Sequence, residues 1–371
     1  MTEQTQTFTP NWVSPPGDTI DDLLEERQWT QAELAERTGF TRKHVNDLIK
    51  GRIPISAETA ARLDRVLGGS VEFWLTREAQ YRAALERQES LKTLKQETPW
   101  LTELPVGWLV QQGWIRRVSS KAEKVEECLR YFGVASVRAW RERYETPLVA
   151  FRAAESTQKK PGAIAAWLRQ VEREADKLPC APFDKAAFKQ ALPTLRALTA
   201  EPDPAVFVPK LQATCAACGV AVVFVPAPPG CAVHGATRWM SPEKAFLALT
   251  LRHKTNDLLW FTFFHEAAHL LKHGKKFMVI EGIDGLDPEH EHEADRFAAD
   301  LLIPPSAVSV LKTLRSHVEI SQMADQLGIA PGILVGRMQK EGWLPWDHLN
   351  ALKVRYAWAE SDAAPSDPAM P

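Results

Sequence analysis

His265, Glu266 and His269 stand together in the stretch WFTFFHEAAHLLKHG, Trp260 to Gly274, which is otherwise nearly all apolar apart from Lys272 and His273. Residues four apart project from one face of a helix, so the two imidazoles can grip one metal ion. Glu266 lies beside them, placed to take a proton from water that the ion activates. Burying three polar groups without partners costs several kcal/mol, and a bound metal answers that cost.

HExxH is the spacing of zinc-dependent peptidases. In that chemistry zinc lowers the pKa of water and polarises the substrate carbonyl. The glutamate serves as general base and then passes the proton to the leaving amine. A catalytic zinc site takes three protein ligands and keeps one position open, so a third ligand must come from elsewhere. The following segment EHEADRFAADLLIP offers Glu291 and Glu293. Glu291 has Asp295 one turn along the same face, an acid placed to hydrogen-bond a ligating histidine and fix its tautomer. Glu293 shares a face with Phe297 instead. Glu291 is the preferred ligand and Glu293 the alternative; the expected cofactor is one zinc ion per chain.

Weaker signals surround this site. Cys215 and Cys218, followed by Cys231 and His234, imitate a zinc-knuckle spacing, but the first pair ends a helix that leads directly into a strand. His234, near the turn read in GATRW, can hydrogen-bond a substrate or oxyanion. His290 and His292 flank Glu291 as solvated or supporting residues, and His273 is expected to be exposed at a helix end.

A second constellation lies near the N-terminus. TQAELAERTGFTRKHVNDLIKG has the layout of a helix-turn-helix. Thr30 caps its first helix, Gly39 makes the turn, and Thr41 caps the second. Leu34, Ala35, Val45 and Leu48 face the core. Arg42, Lys43, His44, Asn46 and Asp47 then point outward, and arginine, lysine and asparagine can donate to base edges in a major groove. Lys50 and Arg52, with Gln31 near a helix start, can hold phosphates. Thr41 to Ile53 holds four basic residues and one acid. A chain of formal net charge −2 has placed positive charge here, and double-stranded operator DNA is the expected partner.

These constellations sit in a chain of 371 residues, 45% hydrophobic and 25% charged, an ordinary globular composition with room for two or three domains. No apolar run approaches the roughly 18 residues that span a membrane. The polar, Pro-rich start is no signal peptide, and five cysteines without framework spacing suit a reduced cytoplasm. The expected fold is α+β and mostly α. Residues 1–16 read as a flexible tail and 17–88 as five helical segments forming the DNA-binding domain. Residues 89–200 read as a helical spacer, with STQKKPG and KLPCAPFD as turns or linkers. A peptidase domain follows over 201–305, with strands in Gly219–Gly230 and Ala245–Arg252 and a Gly/Asp loop, EGIDGLDPEHE, between the two site helices. A helical module covers 306–360 and a disordered tail 361–371. Ile320–Gly342 repeats the helix-turn-helix rhythm without a basic face, and reads as a packing module on the peptidase domain.

Two resemblances sharpen these readings. The first 80 residues or so, through SPPGDTIDDLLEERQWTQAELAERTGFTRKHVNDLIKGRIPISAETAARLDRVLGGSVEFWL, resemble the HigA-type (VapI-type) antitoxins of the XRE helix-turn-helix group. That resemblance implies an operon repressor that acts as a homodimer, its last helices helping to dimerise it, and that neutralises a toxin. GVAVVFVPAPPG, AFLALTLR, the HExxH helix and EHEADRFAADLLIP, over roughly 205–305, resemble the ImmA/IrrE metallo-endopeptidases, a gluzincin-like group that cleaves helix-turn-helix repressors. Phe263 and Phe264 depart from the Leu-Ala usual there, which alters packing before His265 and not the ligands. The joint expectation is a cytoplasmic regulator whose zinc endopeptidase cleaves a regulatory protein or itself. The rival expectation is a non-catalytic repressor or antitoxin whose peptidase-like domain senses a signal or binds a toxin. Retention of Glu266 argues against the rival, since a scaffold that does not cut has no need of it.

Overall fold

The computed structural model describes residues 14–145, 160–273, 279–280 and 288–359. Of the expected tails, residues 1–13 and 361–371 lie outside these residues, as do most of the Gly/Asp loop and the start of STQKKPG, whereas Pro16, read as the end of the first tail, begins a helix. The fold is α+β and mostly α, and it divides into two compact units between Gln96 and Glu97.

The first unit is all helical: α1 (Pro16–Arg27), α2 (Gln31–Thr38), α3 (Arg42–Ile49), α4 (Ala57–Leu67) and α5 (Val71–Gln96). The caps are local chemistry. Thr30 Oγ1 accepts from Glu33 N at 3.2 Å and Thr41 Oγ1 from His44 N at 3.1 Å, each satisfying an amide that the helix start leaves over. Gly39 ends α2 at φ +68°, a conformation that costs glycine nothing. Ile20, Leu34, Val45, Leu48, Leu63 and Trp74 form the core.

The second unit begins with α6 (Val106–Gln111), α7 (Lys121–Phe132), α8 (Val137–Trp140), α9 (Pro161–Lys177), α10 (Lys185–Ala197) and α11 (Pro204–Ala216). The helices read as a spacer are thus part of this unit, and α9 packs on the sheet, where Trp167 Nε1 donates to Val225 O at 3.0 Å. The sheet has the order β1-β3-β2-β4, from β1 (Val220–Phe224), β2 (Gly235–Ser241), β3 (Lys244–Leu249) and β4 (Val279–Ile280). β1 pairs parallel with β3, and β2 pairs antiparallel with β3 and β4. GATRW is therefore strand, not turn: Gly235 to Trp239 pair with Leu249 to Ala245.

Helix α12 (Asn256–Lys272) lies against β2 and β3, with α13 (Pro288–Leu302) beside it. α14 (Pro305–Leu311), α15 (His317–Leu327) and α16 (Pro331–Lys340) complete the helices. Helix thus stops at Lys340 apart from a short turn at Asn350–Leu352, earlier than the expected reach to residue 360, and Arg355 bridges back to Thr255 instead. Trp260, Phe263 and Phe264 are fully buried with Ile320, Leu334 and Met338 in one core. Each such ring contributes about 1.5–3 kcal/mol, enough to hold polar site residues inside.

Two glycines let helices approach. A Cβ on Gly235 would lie 2.6 Å from Thr262 Cγ2, so β2 crosses α12 at contact distance. A Cβ on Gly336 would lie 2.4 Å from Oδ2 of buried Asp257, whose carboxylate pairs with half-buried Lys353 at 2.6 Å. Alanine ordinarily favours a helix interior by about 1 kcal/mol over glycine. Here the sign reverses: Gly336→Ala is expected to destabilise the second unit by about 1–3 kcal/mol, read as a lower urea midpoint at unchanged slope. An unchanged or raised midpoint would show that α16 does not hold the start of α12 this way.

Candidate metal centre

α12 carries His265, Glu266 and His269, all buried; α13 brings Glu291 to face them. The Nε2 atoms of the two histidines lie 2.9 Å apart. Glu291 Oε2 is 3.3 Å from His265 Nε2, and Oε1 is 3.3 Å from His269 Nε2. Among the described residues these three form the one group of His, Cys, Asp or Glu side chains able to share an ion, with ligand atoms all within 4.8 Å. Cys215, Cys218, Cys231 and His234 form no such group, and burial raises the pKa of all three thiols, that of Cys231 to about 12.

The hydrogen bonds behind the ligands fix their tautomers. His265 Nδ1 lies 2.9 Å from Asp295 Oδ1, so Nδ1 carries the proton and Nε2 the lone pair. For His269 a longer chain serves. Its Nδ1 is 2.8 Å from His273 Nδ1, and His273 Nε2 is 3.2 Å from Glu293 Oε2. A carboxylate only accepts, so His273 donates from Nε2 and accepts at Nδ1. His269 then donates from Nδ1 and presents a lone pair at Nε2. Two lone pairs and a carboxylate converge, a donor set that suits a cation. Ligands about 2.0–2.1 Å from a tetrahedral zinc lie about 3.3 Å apart, close to the spacing found.

Burial lowers the pKa of His269, more than its hydrogen bond with Glu291 raises it, and keeps the ring neutral as a ligand must be. Burial pushes the Glu291 carboxyl up, but hydrogen bonds with His265 and His269 outweigh it and hold its pKa at about 2. Glu293, the alternative ligand, is placed otherwise: it pairs with Lys272 at 2.8 Å and with His273, and both contacts lower its pKa.

Glu266 is fully buried, and the Thr237 hydroxyl donates to its Oε2. Sequence reasoning misses Thr237 because its role rests on the pairing of β2. His273 is a correction: only 8% exposed, it lies behind His269 and not in solvent at the helix end. An i, i+4 spacing from His269 was the available signal. The His290 ring is 4.1 Å from that of His273, and His292 is exposed. His234 Nε2 lies 3.2 Å from His253 Nε2.

In the first unit, Gln31, Thr41, Arg42, Lys43, Lys50 and Arg52 are exposed, while Val45, Leu48 and Ile49 turn inward. Asn46 is half-buried. His44 is half-buried as well, its ring 4.5 Å from that of Phe40. Arg52 Nη1 lies 3.3 Å from Asp47 Oδ1.

The comparisons agree with this division. Residues 20–74 match the helix-turn-helix family model, and residues 240–338 match that of the IrrE N-terminal-like domain, peptidase M78. The latter match spans the site helices α12 and α13 and continues through α15 into α16. The chain therefore carries a helix-turn-helix domain over residues 20–74 and a peptidase M78 family domain over residues 240–338. Among solved structures it is similar to an addiction module antidote protein of a HigA family from Coxiella burnetii, at 26% identity, covering 23% of this chain and 94% of that one with a TM-score of 0.21. It is also similar to the Pseudomonas aeruginosa antitoxin HigA solved with the higBA promoter, at 29% identity, covering 23% and 95%, with a TM-score of 0.22. No curated protein matches.

Proposed function

We propose that this protein is a DNA-binding, antitoxin-type repressor that carries a zinc-dependent endopeptidase, which cleaves a regulatory protein or the chain itself. The observation that carries this reading is the convergence of His265, His269 and Glu291, with Glu266 next to them on the same helix. His265, His269 and Glu291 would hold one zinc ion, and Asp295 positions His265. Held there, zinc supplies Lewis-acid chemistry for activating water and a carbonyl near neutral pH. The Glu266 carboxylate accepts the proton of the attacking water and returns it to the leaving amine nitrogen. Thr237 orients that carboxylate through Oε2. The aromatic and aliphatic packing around α12 keeps bulk water from the helix.

On the DNA side, Thr41, Arg42, Lys43, His44 and Asn46 meet the major groove, and Gln31, Lys50 and Arg52 hold phosphates. The protein acts as a homodimer in the cytoplasm, with residues 17–88 as its DNA-binding domain. Among the described residues no helix is long and apolar enough to cross a membrane. Incubating the zinc-loaded chain with helix-turn-helix repressors, beside a Glu266→Gln variant, tests the reading. Fragments formed by the wild type and not by the variant are expected; fragments from both or from neither contradict it.

A further inference from the structure

A cleft of about 550 Å³ opens in the second unit between the loop after α6, the end of α7 and one face of α9. Five arginines line it: Arg116, Arg117, Arg130, Arg169 and Arg173. The one acid in the lining is Glu127, bonded to Arg116 at 2.5 Å and to Arg130 at 3.4 Å. Arg130 also pairs with Glu126. Arg169 donates to Glu172 at 3.0 Å and to Tyr131 O at 2.8 Å. Arg117 and Arg173 have no carboxylate partner among the described residues. Arg173 instead reaches Trp114 O at 3.5 Å, its guanidinium 5.3 Å from the centre of the Tyr131 ring.

Gathering like charges at one concave place is unfavourable unless an anion joins them. Guanidinium groups bind phosphate through paired, planar hydrogen bonds. The cleft also offers a flat surface: the half-buried Trp114 indole lies 11° from parallel to the Tyr131 ring. Its volume falls in the range of small-molecule sites, about 300–1,000 Å³. We propose that this cleft binds a nucleotide, with its phosphates on Arg117 and Arg173 and its planar base against Trp114. Arg169 shares the Glu172 carboxylate with Arg238 of β2, the neighbour of Thr237, so ion pairs tie the cleft to the strand that holds Glu266. The binding proposal does not depend on peptidase activity.

Titration calorimetry on the full chain with each of the four common ribonucleoside triphosphates tests it, with inorganic pyrophosphate as the phosphate-only probe. At least one triphosphate is expected to bind once per chain and more tightly than pyrophosphate. An Arg117→Ala/Arg173→Ala variant is expected to lose at least tenfold in that affinity with its melting temperature unchanged. Neither arginine holds a carboxylate that the change would strand. No saturable heat from any triphosphate up to millimolar concentration overturns the proposal. So does binding that the variant leaves intact, or pyrophosphate binding as tightly as every triphosphate.

Discussion

Glu266→Gln is expected to slow peptide cleavage by about 10²–10⁴-fold, the usual contribution of a general base, without loss of metal. The amide has nearly the same shape, and its oxygen can still accept from the Thr237 hydroxyl that meets Glu266 Oε2. Packing around this fully buried side chain is therefore kept, while the basic oxygen is gone. His265, His269 and Glu291 are untouched, so the ligand set survives. Quenched-fluorescent peptide libraries measure the rate over many sequences at once, and elemental analysis of the same sample measures the metal. Equal rates for wild type and variant would mean that the domain binds or senses without cutting.

Replacing Arg42 and Lys43 together by alanine is expected to weaken operator binding by about 1–3 kcal/mol for each base edge left unread, roughly tenfold to a hundredfold each. If one of them holds a phosphate instead, the slope of log affinity against log salt drops by about one. Stability should not change, because both side chains are exposed at the start of α3 while Val45, Leu48 and Ile49 make its buried face. DNA selected from a random pool by the wild-type chain supplies the site, and binding is measured at several salt concentrations. Unchanged affinity and slope would remove this face of α3 from the interface.

Both faces are legible in the sequence because their chemistry is local. Thr30 and Thr41 cap helices three residues away, and His265, Glu266 and His269 share one turn of one helix. Glu291 is reachable through its i, i+4 relation to Asp295, which does lie on His265. The strand in GATRW is not legible: its burial runs from the strand start for three residues without alternation, as in a strand covered on both faces. Thr237 escapes with it, since its bond to Glu266 spans 29 residues and needs the close crossing at Gly235. His273 reads as exposed because its contacts with His290 and Glu293 of α13 arise from tertiary packing. The helices over 97–200 carry no chemical motif in sequence, and their packing on the sheet through pairs such as Trp167 with Val225 needs the fold.

The central claim is that His265, His269 and Glu291 hold one zinc ion. Elemental mass spectrometry of the purified chain, beside a His265→Ala/His269→Ala variant, tests it most directly. The account predicts about one zinc per wild-type chain and almost none in the variant, with both chains folded by circular dichroism. A wild-type chain that stays free of metal after zinc is supplied, or a variant that keeps its zinc, would contradict it.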